Sequence, residues 1–138
     1  MRPTAASRTS RVHRSRLTSA LFDVPDDKFQ AESAFWCGAL GVAPAVSDDP
    51  DYIELDPLVG DLRLMVQRTR GHTPARVHLD IETDNVEAEV ARLERLGATR
   101  VETVKSWWIM RDPAGLPFCV VRVQSPEAFE AHATTWED

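Results

Sequence analysis

Between Arg76 and Glu82 the chain alternates strictly. Val77, Leu79 and Ile81 face one way and His78, Asp80 and Glu82 the other, the two-residue period of a half-buried strand. The period then changes. Val86, Val90, Leu93 and Leu96 fall at helical spacing behind the capping pair Asp84-Asn85, and Gly97 closes the helix. Thr99 to Val104, Ser106 to Arg111 and Leu116 to Val123 follow as three further strands, the last two joined by the turn Asp112-Pro-Ala-Gly115.

The residues before Arg76 follow a similar plan with weaker signals. Leu17 to Asp23 reads as a short strand. Asp26-Asp27 offer N-capping carboxylates to a helix over Lys28–Leu40, whose Phe29, Ala34, Phe35, Cys37 and Leu40 share one broad apolar side, with Gly41 as C-cap. A Pro- and Asp-rich connection, Ala43 to Asp51, leads to strands Tyr52–Asp56 and Leu62–Gln67, separated by Pro57 to Gly60. Leu40-Gly41 matches Leu96-Gly97, and Asp56-Pro57 with Gly60 matches Asp112-Pro113 with Gly115. The expected fold class is therefore α+β: two βαβββ modules, 17–68 and 75–124, in a curved mixed sheet with helices on its convex face. Arg68 to Pro74 forms the linker, residues 1–16 a basic tail without fixed structure, and 125–138 a short C-terminal helix and tail.

His78 seven residues before Asn85, Leu96-Gly97-Ala98, and Asp112-Pro-Ala-Gly115 together resemble the vicinal oxygen chelate superfamily, which includes glyoxalase I, bleomycin-resistance and extradiol-dioxygenase-like proteins. The resemblance spans about Leu17 to Gln124. It implies a concave sheet face that usually holds a divalent metal, with ligands from the first and last strand of each module. Carried over residue by residue, it places His78 at a first-strand ligand position. Cys119 then stands where the family usually has glutamate. Leu64, or Met65, falls at the matching position of the first module, and Ala20 or Phe22 at the counterpart of His78. Four of these five alternatives and equivalents to His78 are apolar, so the metal set is expected to be incomplete.

That leaves a binding cup lined by His78, Cys119, Val121, Leu64 and one of Trp107 and Trp108, whose side chains leave a strand on opposite faces. The expected function is binding of a small apolar or aromatic metabolite or antibiotic, with His78 as polar anchor and the sole candidate metal ligand. A divalent-metal-dependent lyase, isomerase or dioxygenase, using His78 with Gln67 or Glu54, is the alternative. A structural or regulatory interaction module is the third reading. A lone histidine on a strand is also served by a simple hydrogen bond to a neighbour, and Cys119 within Phe118-Cys-Val-Val packs as a small hydrophobe.

Charge narrows the partners. The chain has 138 residues and net charge -6, yet the first sixteen positions hold five arginines and no acid. The rest is acidic, which argues against a nucleic-acid surface on the folded body. No apolar stretch is long enough to cross a bilayer. Cys37 and Cys119 form no disulfide framework and are expected as free thiols in a cytoplasmic protein. The open sheet face leads to the expectation of a homodimer. No phosphate loop, paired-cysteine zinc motif, HExxH or G-x-S-x-G is present.

Overall fold

Glycine, proline and strand-forming runs divide the chain into nine strands and three helices in a computed structural model that describes residues 12–59, 61–70 and 74–137. The strands belong to a mixed sheet, and the chain falls into two units, 19–79 and 12–18 with 80–137. Strands β1 (Val12–Pro25) and β5 (Arg76–Thr83) run through both. The glycine at position 60, the segment 71–73 and the first eleven residues lie outside the described residues.

In the unit 19–79, β1 leads into helix α1 (Phe29–Leu40), then β2 (Pro44–Val46), β3 (Tyr52–Val59) and β4 (Leu62–Thr69). The spatial order is β2-β3-β4-β1, with β4 parallel to β1 and Leu21 opposite Met65. Short β2 lies inside the expected connection 43–51 and supplies the third strand that completes βαβββ. The first Asp-Pro pair is no separating turn: β3 continues through it, with a register shift between Leu55 and Val59. A proline without an amide donor fits such an irregularity.

The start of α1 differs from the expected cap. Asp26 and Asp27 occupy a 3-10 turn ahead of the helix, and Lys28 sits at the N-cap without a side-chain bond. The carboxylates therefore oppose the positive end of the helix dipole instead of capping an amide. Gly41 ends the helix at φ +68°, as expected. The inward side consists of Phe29, Ser33, Trp36, Cys37 and Leu40, whereas Phe35 is 62% exposed. Trp36 wins the inward place because it stacks on Phe22, ring centroids 4.9 Å apart. Together with Val24, Leu55 and Val66 these residues form the core of the unit.

The unit 12–18 with 80–137 repeats the order. Helix α2 (Val86–Arg95), β6 (Thr99–Val104), β7 (Trp107–Arg111) and β8 (Pro117–Arg122) give the spatial order β5-β8-β7-β6. Asn85 accepts from the Ala88 amide, as the capping signal required. Val86, Val90 and Leu93 pack on Met110, Val120, Phe118 and Trp108. Leu96 does not join them: the helix has ended at Arg95, and Leu96 is 67% exposed. Asp112 behaves as a turn residue, its Oδ1 accepting from the amides of Ala114 and Leu116.

The largest departure is at the N-terminus. Residues 12–16 are strand, not tail, and His13 and Ser15 are buried. Their partners lie far away in sequence, which is why the local pattern hides them. His13 Nε2 meets Glu89 Oε2 at 2.6 Å, and Arg92 bonds the same carboxylate at 2.6 and 3.1 Å. Arg14 holds Asp84 and Glu130, and its guanidinium lies over Phe129 of helix α3 (Pro126–His132). The C-terminal tail also contains a strand, β9 (Thr134–Glu137), which pairs with Val12 to Ser15. Trp136 donates to Ser15 and stacks under Arg92.

Glu89 is fully buried and bonded by both His13 and Arg92, so removing it strands both. Glu89→Ala is expected to cost about 3 kcal/mol of unfolding free energy in urea titration. His13→Ala should cost less, and the double variant less than the sum of the two.

Candidate functional site

Strand β5 buries the side opposite to the one hydrophobicity favours. Val77 and Leu79 are 53% and 43% exposed, while His78 and Asp80 are 8% exposed and Glu82 is fully buried. Burying an imidazole and carboxylates without partners would cost several kcal/mol, so each must find a counter-group. Strand β1 supplies two of them.

In the unit 19–79, Asp23 on β1 meets His78. Its Oδ2 lies 2.6 Å from His78 Nδ1 and 3.5 Å from Arg76 Nε. Asp23 is 3% exposed, and its second oxygen, Oδ1, is buried with no hydrogen-bond partner among the described residues. Spacing would have flagged Asp23: it stands six residues before α1 as Asp80 stands six before α2. The family resemblance points instead to Ala20 and Phe22, neither of which carries a donor side chain. Phe22 belongs to the core under α1.

In the other unit, Arg16 on β1 meets Glu82 at 3.4 Å, and both side chains are nearly inaccessible. Glu82 Oε2 also accepts from the amides of Gln124 and Ser125 at the entrance to α3. Ser125 is of a residue type that commonly caps a helix with its own hydroxyl. It holds the N-cap position without a side-chain bond, and the buried glutamate satisfies the backbone there instead. Glu82 is thus occupied structurally.

Asp80 and Cys119 of the same unit bring a carboxylate oxygen and Sγ within 4.8 Å of each other. His78 precedes Asp80 by two positions, on the same side of β5. Cys119 is partly exposed and free, next to buried Val121 on the side of β8 away from Phe118 and Val120. Its β7 neighbour is Ile109.

One expected cup residue sits elsewhere. Leu64 packs against Val24, Phe29, Leu55 and Val66 under α1, so Met65 is the β4 residue that faces away from that helix. Of the tryptophan pair, Trp108 is the core member, packed on Val90 and Met110 with Arg100 over its ring at 4.9 Å. Trp107 points to the other side of β7.

The alternative ligands Glu54 and Gln67 are already engaged. Gln67 donates to the Tyr52 hydroxyl. Glu54 receives two bonds from Arg63, at 2.9 and 3.0 Å. That fork holds the Glu54 carboxyl below its ordinary range, against an opposing effect of partial burial. A lowered folded-state value stabilises the fold above the unfolded carboxylate range, and the contribution fades as pH falls through the folded value. Arg63→Met should therefore cost up to about 1 kcal/mol near neutrality, and the gap to the parent should close in urea titrations below about pH 4.

Comparison with known proteins comes to the same scaffold. The family model described as "Glyoxalase-like domain" matches residues 19–121. A structure titled as an NAD-dependent benzaldehyde dehydrogenase from Legionella pneumophila is similar at TM-score 0.56 and 15% identity, covering 77% of this chain and 98% of that one. A hypothetical protein from Bacillus halodurans C-125 is similar at TM-score 0.58 and 14% identity, covering 80% and 97%. A variant of homoprotocatechuate 2,3-dioxygenase from B. fuscum is similar at TM-score 0.51 and 21% identity, covering 79% of this chain and 32% of that one. At these identities the likenesses speak for the fold alone. No curated protein matches the chain in sequence. Among the described residues no helix is long and apolar enough to cross a membrane.

Proposed function

The chain belongs to the glyoxalase-like domain family of the vicinal oxygen chelate superfamily, and on that premise we propose that it binds a small apolar or aromatic molecule through the buried polar side of β5, with His78 as the directional contact. One observation carries this reading: β5 turns His78 and Asp80 inward and leaves Val77 and Leu79 exposed. A strand chosen for stability alone would do the reverse, because burying a valine or leucine side chain is worth about 1.5–3 kcal/mol. Inward polar groups at that price belong to a site. Cys119 and Val121 add a soft, mostly apolar surface on β8. His78 Nδ1 is engaged by Asp23, which holds the ring in place.

A specific observation favours a second reading, the metal-dependent lyase, isomerase or dioxygenase. His78, Asp80 and Cys119 offer imidazole, carboxylate and thiolate, which are the donor types zinc prefers, and the Asp80 and Cys119 atoms lie within 4.8 Å of each other. Donors of these types would hold a divalent ion, and such an ion would polarise a substrate oxygen. Cys119 in place of the family's usual glutamate makes the set softer and tilts it from Mg2+ towards Zn2+.

Thermal-shift screening of small aromatic and apolar metabolites tests the first reading. A ligand at a hundredfold excess over its Kd adds about 2.7 kcal/mol, or roughly 8 °C in Tm for a domain of this size, and His78→Ala should abolish that shift. If no such compound shifts the parent, the binding reading fails. Elemental analysis of untagged protein decides the second: one equivalent of Zn, Ni, Mn or Fe, lost in both His78→Ala and Cys119→Ser, would establish the metal site in place of the metal-free cup.

A further inference from the structure

We propose that Asp23 is a positioning residue: it fixes the proton of His78 on Nδ1 and so sets the tautomer and orientation of the ring. This deepens the reading of His78 as the directional contact, and rests on it only for its functional consequence. Four observations support it. The 2.6 Å contact joins a carboxylate to a ring nitrogen with both groups buried, and an ionised carboxylate only accepts, so Nδ1 must donate. Arg76 is no rival for the role. Its Nε lies 3.5 Å from the same oxygen on a side chain that is 44% exposed. The bond to His78 is therefore the stronger partner of Asp23 Oδ2.

The strand setting makes Asp23 rigid. Its backbone is paired with Gln67 across β4, between Phe22 and Val24, which both pack in the core under α1. A side chain so placed cannot turn away when a ligand arrives. Its contacts with His78 and Arg76 both converge on Oδ2, while Oδ1 stays buried without a hydrogen-bond partner among the described residues. A residue selected only to neutralise a buried histidine would gain by satisfying both oxygens. The one-sided arrangement instead fixes the ring's tautomer and orientation, as carboxylates do for histidines that must present their other nitrogen.

The test reads the ring directly and needs no ligand. Long-range proton–nitrogen NMR spectra of protein with 15N-labelled histidine, recorded at alkaline pH, report which nitrogen of each ring is protonated. The chain has four histidines, and His78→Gln assigns the signal. The expected parent spectrum shows His78 protonated at Nδ1. In Asp23→Ala the pattern should shift towards the Nε2-protonated form, and Asp23→Asn, which keeps an acceptor oxygen, should preserve the parent pattern. An unprotonated Nδ1 in the parent would overturn the assignment, and that result stands even if Asp23→Ala fails to fold. So would a folded Asp23→Ala whose His78 signals are unchanged. If no compound or metal binds while Nδ1 proves protonated, the binding proposal falls and the positioning role remains.

Discussion

A buried ionisable group must be matched or it destabilises the fold, and this constraint organises the protein around strand β1. Three of the inward polar groups along β5 and α2 have an opposite number on β1 in their own unit. Asp23 serves His78, Arg16 serves Glu82, and His13 serves Glu89. These contacts are short and lie in places where solvent contributes little screening. The apolar cores under α1 and α2 account for cohesion within each unit. The polar pairs add a fixed arrangement that apolar packing alone would not impose, because a one-residue slip of β1 would reverse every one of its inward groups.

This explains why the first strand is so long. An ordinary βαβββ module needs a strand of five or six residues, whereas β1 has fourteen. Its early part carries His13, Arg14 and Ser15, which tie down α2, α3 and β9 through Glu89, Glu130 and Trp136. Its later part carries Asp23. The arginines that give the N-terminal segment its basic character are, at positions 14 and 16, ion-pair partners for acids of the same chain.

Legibility in the sequence followed the range of the interactions. Asn85, Gly97 and the Asp112 turn act within four residues of themselves, so their signals could be read locally, and the duplicated order of elements followed from them. The strand at 12–16 could not be read, because its partners are Glu89 and Trp136, about 76 and 121 residues away, and an arginine- and serine-rich stretch has the composition of a tail. Alternation along β5 showed that the strand has two sides but not which one is covered. Hydrophobicity pointed to Val77 and Leu79, and the structure covers the other. Phe35 and Leu96 misled for a related reason: helical spacing selects a stripe, while the stacking of Trp36 on Phe22 and the end of α2 at Arg95 decide which residues fill it.

Of the site, His78 and Cys119 were visible only through a resemblance, and its blind spot is instructive. Matching family ligand positions sought a donor equivalent to His78 in the first module and met alanine or phenylalanine. The chain placed its carboxylates elsewhere, at Asp23 and Asp80, each six residues before its helix. A duplicated scaffold thus presents duplicated acids with unequal duties. Asp23 is committed to orienting a ring, while Asp80 lies beside a free thiol. Since an oriented imidazole serves a metal and an organic ligand equally well, the balance between them rests on Cys119. As a thiolate it completes a soft donor set, and as a thiol it is one more apolar wall. The choice between cofactor site and binding cup therefore turns on whether a metal engages that sulfur, since a coordinating thiol gives up its proton to the metal.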